Sequence, residues 1–205
     1  MIPLLIVLGV FVLLSGAYSI VHLTNRRHNR SVSTDGFLLN QREAPARELR
    51  YGFFSAGYNG CGWIAVYNAC RILGEEVPPA EIISDFERYG AILFGLFGTW
   101  TGAVTHFFRK RGYRVNATRK PDRMDALASS APVSILWFWH RKGAHFIALH
   151  PSEQSFVGYN VFSNSKNAVL LGSSVQEFLK KRNYHAPRLI AVKKEASDHD
   201  ERATA

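Results

Sequence analysis

The sequence contains only two cysteines, Cys61 and Cys70, among 205 residues. Nine residues along one predicted helix separate their Cα atoms by about 13.5 Å and put them on opposite faces, whereas a disulfide needs Cα atoms within about 7 Å. The spacing therefore predicts two free thiols. Two cysteines without closely spaced histidine ligands also argue against a structural zinc site.

Low-complexity stretches and internal repeats are absent from the sequence, which excludes solenoid and propeller folds. Apolar residues make up 47% of the chain, enough for the core of one domain with a short extension. The net charge of +9 invites a nucleic-acid interpretation. However, the basic residues fall in scattered groups at 26–30, 109–111 and 180–182, the last two near predicted helix C-termini, where cations are favoured. We therefore expect no nucleic-acid partner.

Charge is also missing from residues 2–21. Twenty helical residues span about 30 Å, the thickness of the hydrocarbon core of a bilayer, so residues 1–23 are predicted to form one membrane-spanning anchor. The alternative is a signal peptide, since Ser15–Ala17 offers small residues for cleavage, although no basic residue precedes the run. The basic group 26–30 follows it, and such flanks stay cytoplasmic. We expect the domain on the cytoplasmic side, with the opposite side as the alternative.

The rest of the chain divides into a linker, a domain and a tail. Residues 24–50 are polar and interrupted by glycine and proline, which predicts a linker with little structure. We expect a globular domain over 51–194 and a disordered tail over 195–205. Helices come first and hairpin-linked strands follow, which predicts an α+β fold in two layers. The periodicity predicts helices at 62–73, 78–89, 101–110, 123–130 and 173–183, and strands at 113–117, 132–139, 144–150, 155–162 and 188–193.

Cys61 stands between Gly60 and Gly62 at the start of an apolar helix. The partial positive charge of a helix N-terminus favours the thiolate, which is the nucleophilic form of cysteine. The glycines let the backbone turn sharply and let a substrate approach. The alternative is a small buried cysteine at a loop–helix junction. Cys70 lies in the middle of the helix among apolar residues and is predicted to be part of the core.

A nucleophilic cysteine needs a base, and among eight histidines His145 is distinguished by its position. It opens a strand directly after Gly143-Ala144 and precedes an apolar run. In an antiparallel hairpin, the far end of the next strand lies beside the start of this one, which brings Asn160 next to His145. We expect the amide oxygen of Asn160 to accept a hydrogen bond from the imidazole. Asn164 is the alternative, because a different register of the loop would shift this contact by several residues.

The order Cys61, His145, Asn160, together with the phrase GAHFIAL at Gly143–Leu149, resembles the papain-like cysteine peptidase superfamily. The phrase is similar to the bacterial branch that includes bacteriocin leader-processing enzymes. The resemblance covers about residues 51–193. It implies a papain-like α+β fold in which the helix that carries cysteine packs on the antiparallel sheet that carries histidine. It also implies catalysis by these three residues on a peptide or protein substrate, with no metal or organic cofactor.

One position departs from the pattern of that superfamily. Its members usually place a glutamine about six residues before the cysteine as an oxyanion donor, and Ser55 stands there in this chain. The side-chain amide of Asn59 and the backbone N–H of Cys61 are the expected donors instead. Loss of one donor typically costs about 10²–10³ in rate, so the departure bears on how active the enzyme is.

The predicted function is a membrane-tethered thiol hydrolase that cleaves a peptide or isopeptide bond. One alternative is a catalytically silent peptide-binding module on the same scaffold. Its groove would be lined by the aromatic side chains of Trp100, Trp137, Phe138 and Trp139, although core packing explains these residues as well. Another alternative is an exported cell-wall peptidase, which uses the same cysteine and histidine chemistry.

Overall fold

The computed structural model describes residues 2–162 and 164–194. The tail that the sequence predicts to be disordered, residues 195–205, lies outside the described residues. The helices are α1 (Ile2–Ser31), α2 (Ala56–Asn59), α3 (Cys61–Ile72), α4 (Pro79–Tyr89), α5 (Thr101–Lys110), α6 (Met124–Ser129) and α7 (Val175–Lys181). The strands are β1 (Arg50–Tyr51), β2 (Phe54–Ser55), β3 (Tyr113–Thr118), β4 (Val133–His140), β5 (Gly143–Ser152), β6 (Ser155–Tyr159), β7 (Val169–Gly172) and β8 (His185–Lys194).

Six strands form one antiparallel sheet in the order β3-β8-β4-β5-β6-β7. Side chains of β5 alternate between the two faces, as a pleated strand requires. Phe146 and Ala148 belong to the core on one face, and Ile147 and Leu149 to the core on the other. The predicted arrangement of helices followed by an antiparallel sheet is confirmed, and the small helices α6 and α7 cover the second face.

Helix α3 is the centre of the first core and packs on β5 and β4. Nine of its twelve residues, from Gly62 to Cys70, are buried. Burying a side chain as large as Ile64 stabilises the fold by about 1.5–3 kcal/mol, so this helix is held rigidly on the sheet. Since Cys61 is its first residue, the packing of α3 fixes where the thiol lies.

The predicted linker over residues 24–50 is instead folded onto the domain. Helix α1 continues to Ser31, and Asn25 and Asn29 on it are buried, as are Leu38 and Leu49 further along. Residues 25 and 29 follow Tyr18 and His22 at helical spacing, so one polar face of α1 binds the domain rather than water. The asparagines on this face of α1 are therefore hydrogen-bonded to protein, although many other polar residues of the stretch are exposed.

The first half of α1 is apolar and exposed, unlike the polar second half that contacts the domain. The segment Leu4–Ser31 has a mean hydropathy of 2.5 over its most apolar window and is long enough to cross a membrane. Side chains such as Phe11 and Leu13 are exposed. By length and composition alone, this helix is a candidate membrane span.

Candidate active site

The nucleophile candidate lies where α2 gives way to α3. Gly60 separates the two helices, and Cys61 is the first residue of α3. A Cβ atom on Gly60 would lie 2.5 Å from the Ala56 carbonyl oxygen, and one on Gly62 would lie 2.4 Å from Thr99 Cβ. The two glycines are therefore required by close packing of the chain around Cys61. This differs from the expectation that both leave room for a substrate, since Thr99 fills the space at Gly62.

Three backbone N–H groups lie close to the Cys61 thiol. They belong to Phe146 on β5 and to Gly62 and Cys61 itself in the first turn of α3. Burial raises the pKa of the thiol to about 11, and these three donors oppose that rise by stabilising the thiolate. The Cys61 residue is nevertheless partly exposed. The thiol is thus neutral at rest, and the donors that favour its charged form are already in place.

His145 is fixed at the start of β5 by one hydrogen bond. Its Nε2 lies 2.7 Å from the backbone carbonyl oxygen of Asn160. A carbonyl oxygen only accepts, so Nε2 must carry the proton, and Nδ1 keeps the lone pair that a base needs. Burial lowers the pKa of His145 to about 4; the bond to Asn160 opposes this shift and nearby His140 adds to it. The imidazole is therefore neutral near pH 7.

Phe146 is the nearest connection between the surroundings of the Cys61 thiol and His145. Its backbone N–H lowers the pKa of the thiol, and it follows His145 directly on β5, where its own side chain belongs to the core around α3. The His145 ring packs against Phe138, which belongs to the core on the other face of the sheet. Within residues 2–162 and 164–194, no hydrogen bond joins the thiol to the His145 ring. Catalytic hydrogen bonds often form only once substrate is bound. At rest, the Cys61 thiol and the His145 imidazole are each neutral.

Asn160 contacts His145, but through a different atom from the one expected. The backbone carbonyl holds the imidazole, while the side-chain oxygen Oδ1 accepts a hydrogen bond of 3.2 Å from the backbone N–H of Gln41. Asn160 has φ of 57°, in the left-handed region that asparagine tolerates better than most residues. This conformation follows directly after β6 ends. Asn164, the alternative partner, is exposed four residues further on.

The side chain of Asn59, the expected oxyanion donor, is already engaged. Its Nδ2 donates to the carbonyl oxygens of Tyr51 and Gly95, and the residue is buried. Both amide hydrogens therefore have acceptors within the protein. The backbone N–H of Cys61 is better placed to face a substrate oxygen, since the first N–H groups of a helix lack intrahelical partners. In the resting structure, Asn59 ties α2 to the loop that contains Gly95.

Gln41 is a site residue that the sequence reasoning missed. Its backbone N–H binds Asn160, and its side-chain Nε2 donates to the Gly57 carbonyl oxygen at 3.3 Å. It therefore bridges α2, just before Cys61, to the residue that holds His145. Gln41 falls in the stretch predicted to be a linker, and no periodicity or motif there signals a role near Cys61.

No family model matches the sequence, and no curated protein matches it. Solved structures resemble it at low identity. One is a double glycine motif protease from an AMS/PCAT transporter, crystallised with the leader peptide: 13% identity, TM-score 0.46, covering 66% of this chain and 84% of that chain. Another is the peptidase domain of Streptococcus ComA, a bi-functional ABC transporter involved in a quorum sensing pathway: 10% identity, TM-score 0.46, covering 66% and 91%.

Proposed function

We propose that this chain is a membrane-tethered cysteine peptidase with Cys61 as nucleophile and His145 as general base. One observation carries the proposal: Cys61 is the first residue of α3, which packs on β5, the strand that begins with His145. The bond from Nε2 to the Asn160 carbonyl leaves Nδ1 as the basic nitrogen. A thiol at a helix N-terminus, an imidazole with a free nitrogen and a carbonyl that orients the imidazole are the components that a thiol peptidase needs, and their presence supports the proposal.

In the proposed reaction, Cys61 Sγ attacks the carbonyl carbon of a peptide bond while His145 Nδ1 takes the thiol proton. The negative charge that forms on the carbonyl oxygen is stabilised by the Cys61 N–H. The C–N bond then breaks, His145 returns the proton to the leaving amine, and a thioester remains on Cys61. Water attacks the thioester with His145 again taking a proton, which releases the carboxylic acid and restores the thiol. Asn59 becomes a second oxyanion donor only if its amide exchanges the Gly95 carbonyl for the substrate oxygen.

A peptide substrate fits the surroundings of the base. Trp139 pairs in register with Ala144, the residue before His145, and its side chain is 48% exposed. An exposed indole at the edge of the site offers a large apolar contact to an extended peptide. The chemistry applies equally to a peptide bond and to an isopeptide bond.

A silent binding module is the second candidate, favoured by two observations. The amide of Asn59 is occupied, and no hydrogen bond joins thiol and imidazole in the described ranges. Alkylation with iodoacetamide at neutral pH distinguishes the two functions. For a peptidase, Cys61 reacts faster than Cys70, and His145→Ala removes most of the difference. Equal, slow alkylation of both cysteines would leave the binding module as the better account.

We also propose that α1 is the membrane tether and that the domain faces the cytoplasm. The apolar segment and the basic residues Arg26, Arg27 and Arg30 behind it support this orientation. This orientation is tested with a reporter enzyme that is active only in the cytoplasm and is fused after Lys194. Activity of an export-dependent reporter instead would support a peptidase that acts on the cell-wall side.

A further inference from the structure

Helix α1 is fixed to the domain at several points along its second half. The Tyr18 hydroxyl donates to the Glu87 carbonyl oxygen, His22 Nδ1 lies 2.7 Å from a Glu87 carboxylate oxygen, and Asn25 donates to the other carboxylate oxygen. One turn further along α1, the side chain of Asn29 forms two hydrogen bonds with the backbone of Arg50. Because these contacts begin at Tyr18, the apolar first half of α1 leaves the domain at Tyr18 in a fixed direction.

A group of exposed apolar side chains lies next to this point. The Tyr18 ring lies 5.7 Å from the ring of Phe53 and 4.9 Å from that of Phe94. Around these rings, large apolar side chains remain in solvent, with Leu93 and Phe97 61% and 65% exposed. We call this group the exit patch, and it comprises Phe53, Ile92, Leu93, Leu96 and Phe97. Contiguous apolar surface of this kind marks an interaction site, whereas single exposed residues do not.

The loop that carries the exit patch also has a strained backbone at two bulky residues. Leu93 and Phe94 have φ of 45° and 58°, in the left-handed region. Bulky residues there cost about 1–2 kcal/mol each relative to their preferred conformations, and glycine or asparagine would avoid most of that cost. Exposed apolar side chains on a strained turn are unfavourable in water, and transfer of those side chains into an apolar phase offsets the cost.

The position of Tyr18 along α1 indicates which apolar phase is near. From Ile2 to Tyr18, sixteen helical steps span about 24 Å, slightly less than the roughly 30 Å hydrocarbon core of a bilayer. Tyr18 therefore lies close to the membrane–water boundary, where tyrosine is enriched. The exit patch contacts Tyr18 through Phe53 and lies near the same boundary.

We propose that the exit patch inserts into the bilayer surface beside α1 and holds the domain against the membrane. The proposal rests on α1 spanning the membrane, as set out in the proposed function, and does not depend on catalysis. The loop that carries the patch also reaches the site, since Gly95 accepts a hydrogen bond from Asn59 and Thr99 packs against Gly62. Cys61 then lies close to the membrane surface, and the substrate is a peptide segment at or near that surface.

Environment-sensitive fluorophores on single cysteines test the insertion. The full chain is prepared with Cys61→Ser, since Cys70 is buried, and the chain with that change alone is the unlabelled control. Leu13→Cys, Phe97→Cys and Leu170→Cys are each labelled with a nitrobenzoxadiazole fluorophore and reconstituted in phosphatidylcholine vesicles. Leu170, 71% exposed on the edge strand β7, is the matched apolar control. Leu93→Cys is a second patch position if the change at Phe97 prevents folding.

We expect blue-shifted emission, and loss of fluorescence with nitroxide-labelled lipids, at positions 13 and 97 and not at position 170. If position 13 is quenched while position 97 behaves like position 170, the patch does not insert and the tether stands. If position 13 is not quenched either, the tether and the patch fail together. Peptidase activity of the unmodified chain in the same vesicles is measured separately, so its absence removes the proposed enzyme without changing this result.

Discussion

Cys61 and Cys70 lie on the same helix, nine residues apart, in two different environments. Burial raises the pKa of both thiols, to about 11 for Cys61 and about 12 for Cys70. Three backbone N–H groups oppose the shift at Cys61, whereas the Glu75 carboxylate adds to it at Cys70. Cys61 is also partly exposed, and Cys70 is fully buried.

The difference shows what a helix terminus contributes that a helix interior does not. In the middle of α3, each N–H is used by the preceding turn, so Cys70 is surrounded by side chains alone. At the first residue, the N–H groups of Cys61 and Gly62 are free of that ladder, and the strand that carries His145 adds another donor. The same residue type is therefore a core side chain at one position and a candidate nucleophile at the other.

Removal of each thiol in turn is expected to give the largest difference between the two cysteines. We expect Cys61→Ala to lower hydrolysis of a fluorogenic peptide by about 10⁴-fold or more, because the nucleophile is lost. Cys70→Ala keeps the rate and lowers the free energy of unfolding by about 1 kcal/mol, because it leaves a small cavity in the core. Rates and urea unfolding measured on both variants check this. Similar losses of rate in the two variants would contradict the assignment.

Replacing the base is the next test. We expect His145→Ala to lower kcat/KM by about 10²–10⁴-fold, the range that general acid–base catalysis contributes. His150→Ala is the matched control, since His150 lies on the same strand and stacks on Tyr159. Steady-state kinetics of both variants are compared with the unmodified chain. If the two changes lower kcat/KM equally, the strand needs its histidines for structure and His145 is not the base.

The resting charge of Cys61 gives a test by pH. With its pKa raised to about 11, the thiolate fraction at pH 7 is about 10⁻⁴ and rises tenfold per pH unit, reaching its midpoint near the raised pKa. The difference in ultraviolet thiolate absorbance between the unmodified chain and Cys61→Ser measures this fraction. Thiolate absorbance that is already complete at neutral pH would indicate a preformed ion pair with His145 instead.

The smallest effect concerns which atom of Asn160 holds the base. Asn160→Gly keeps the backbone carbonyl and the positive φ, so we expect kcat/KM within about threefold of the unmodified chain, the effect of one weakened hydrogen bond. Asn160→Ala keeps the carbonyl but strains the backbone by about 1–2 kcal/mol, which appears as lower unfolding free energy. A loss of about 10²-fold or more in Asn160→Gly would point to the side-chain amide oxygen as the orienting group.

The periodicity of the sequence predicted most of the helices and the hairpins, because α3 and β4–β6 bury apolar faces whose spacing is visible in the residues. The same patterns brought His145 and Asn160 together through the pairing of β5 with β6. They did not predict the contacts of Asn59 with Gly95 or of Gln41 with Asn160, which join residues 36 and 119 positions apart. The role of the Asn160 carbonyl was equally hidden, since a backbone atom leaves no trace in residue type.

The polar half of α1 illustrates a different limit. Its residues Asn25 and Asn29 are of the types found in solvated linkers, and composition alone predicted a linker there. Their partners, Glu87 and the backbone at Gly52 and Arg50, become neighbours only when α4 and β1 are folded. Buried polar groups must be paired, so the fold uses these asparagines as anchors.

The tautomer of His145 tests the proposed pair most directly. In ¹⁵N NMR of the full chain at pH 7, we predict a protonated Nε2 and an unprotonated Nδ1, with the Nδ1 signal shifting when Cys61 is alkylated. A proton on Nδ1, or a Nδ1 signal that does not respond to alkylation of Cys61, would contradict the claim that this imidazole serves that thiol.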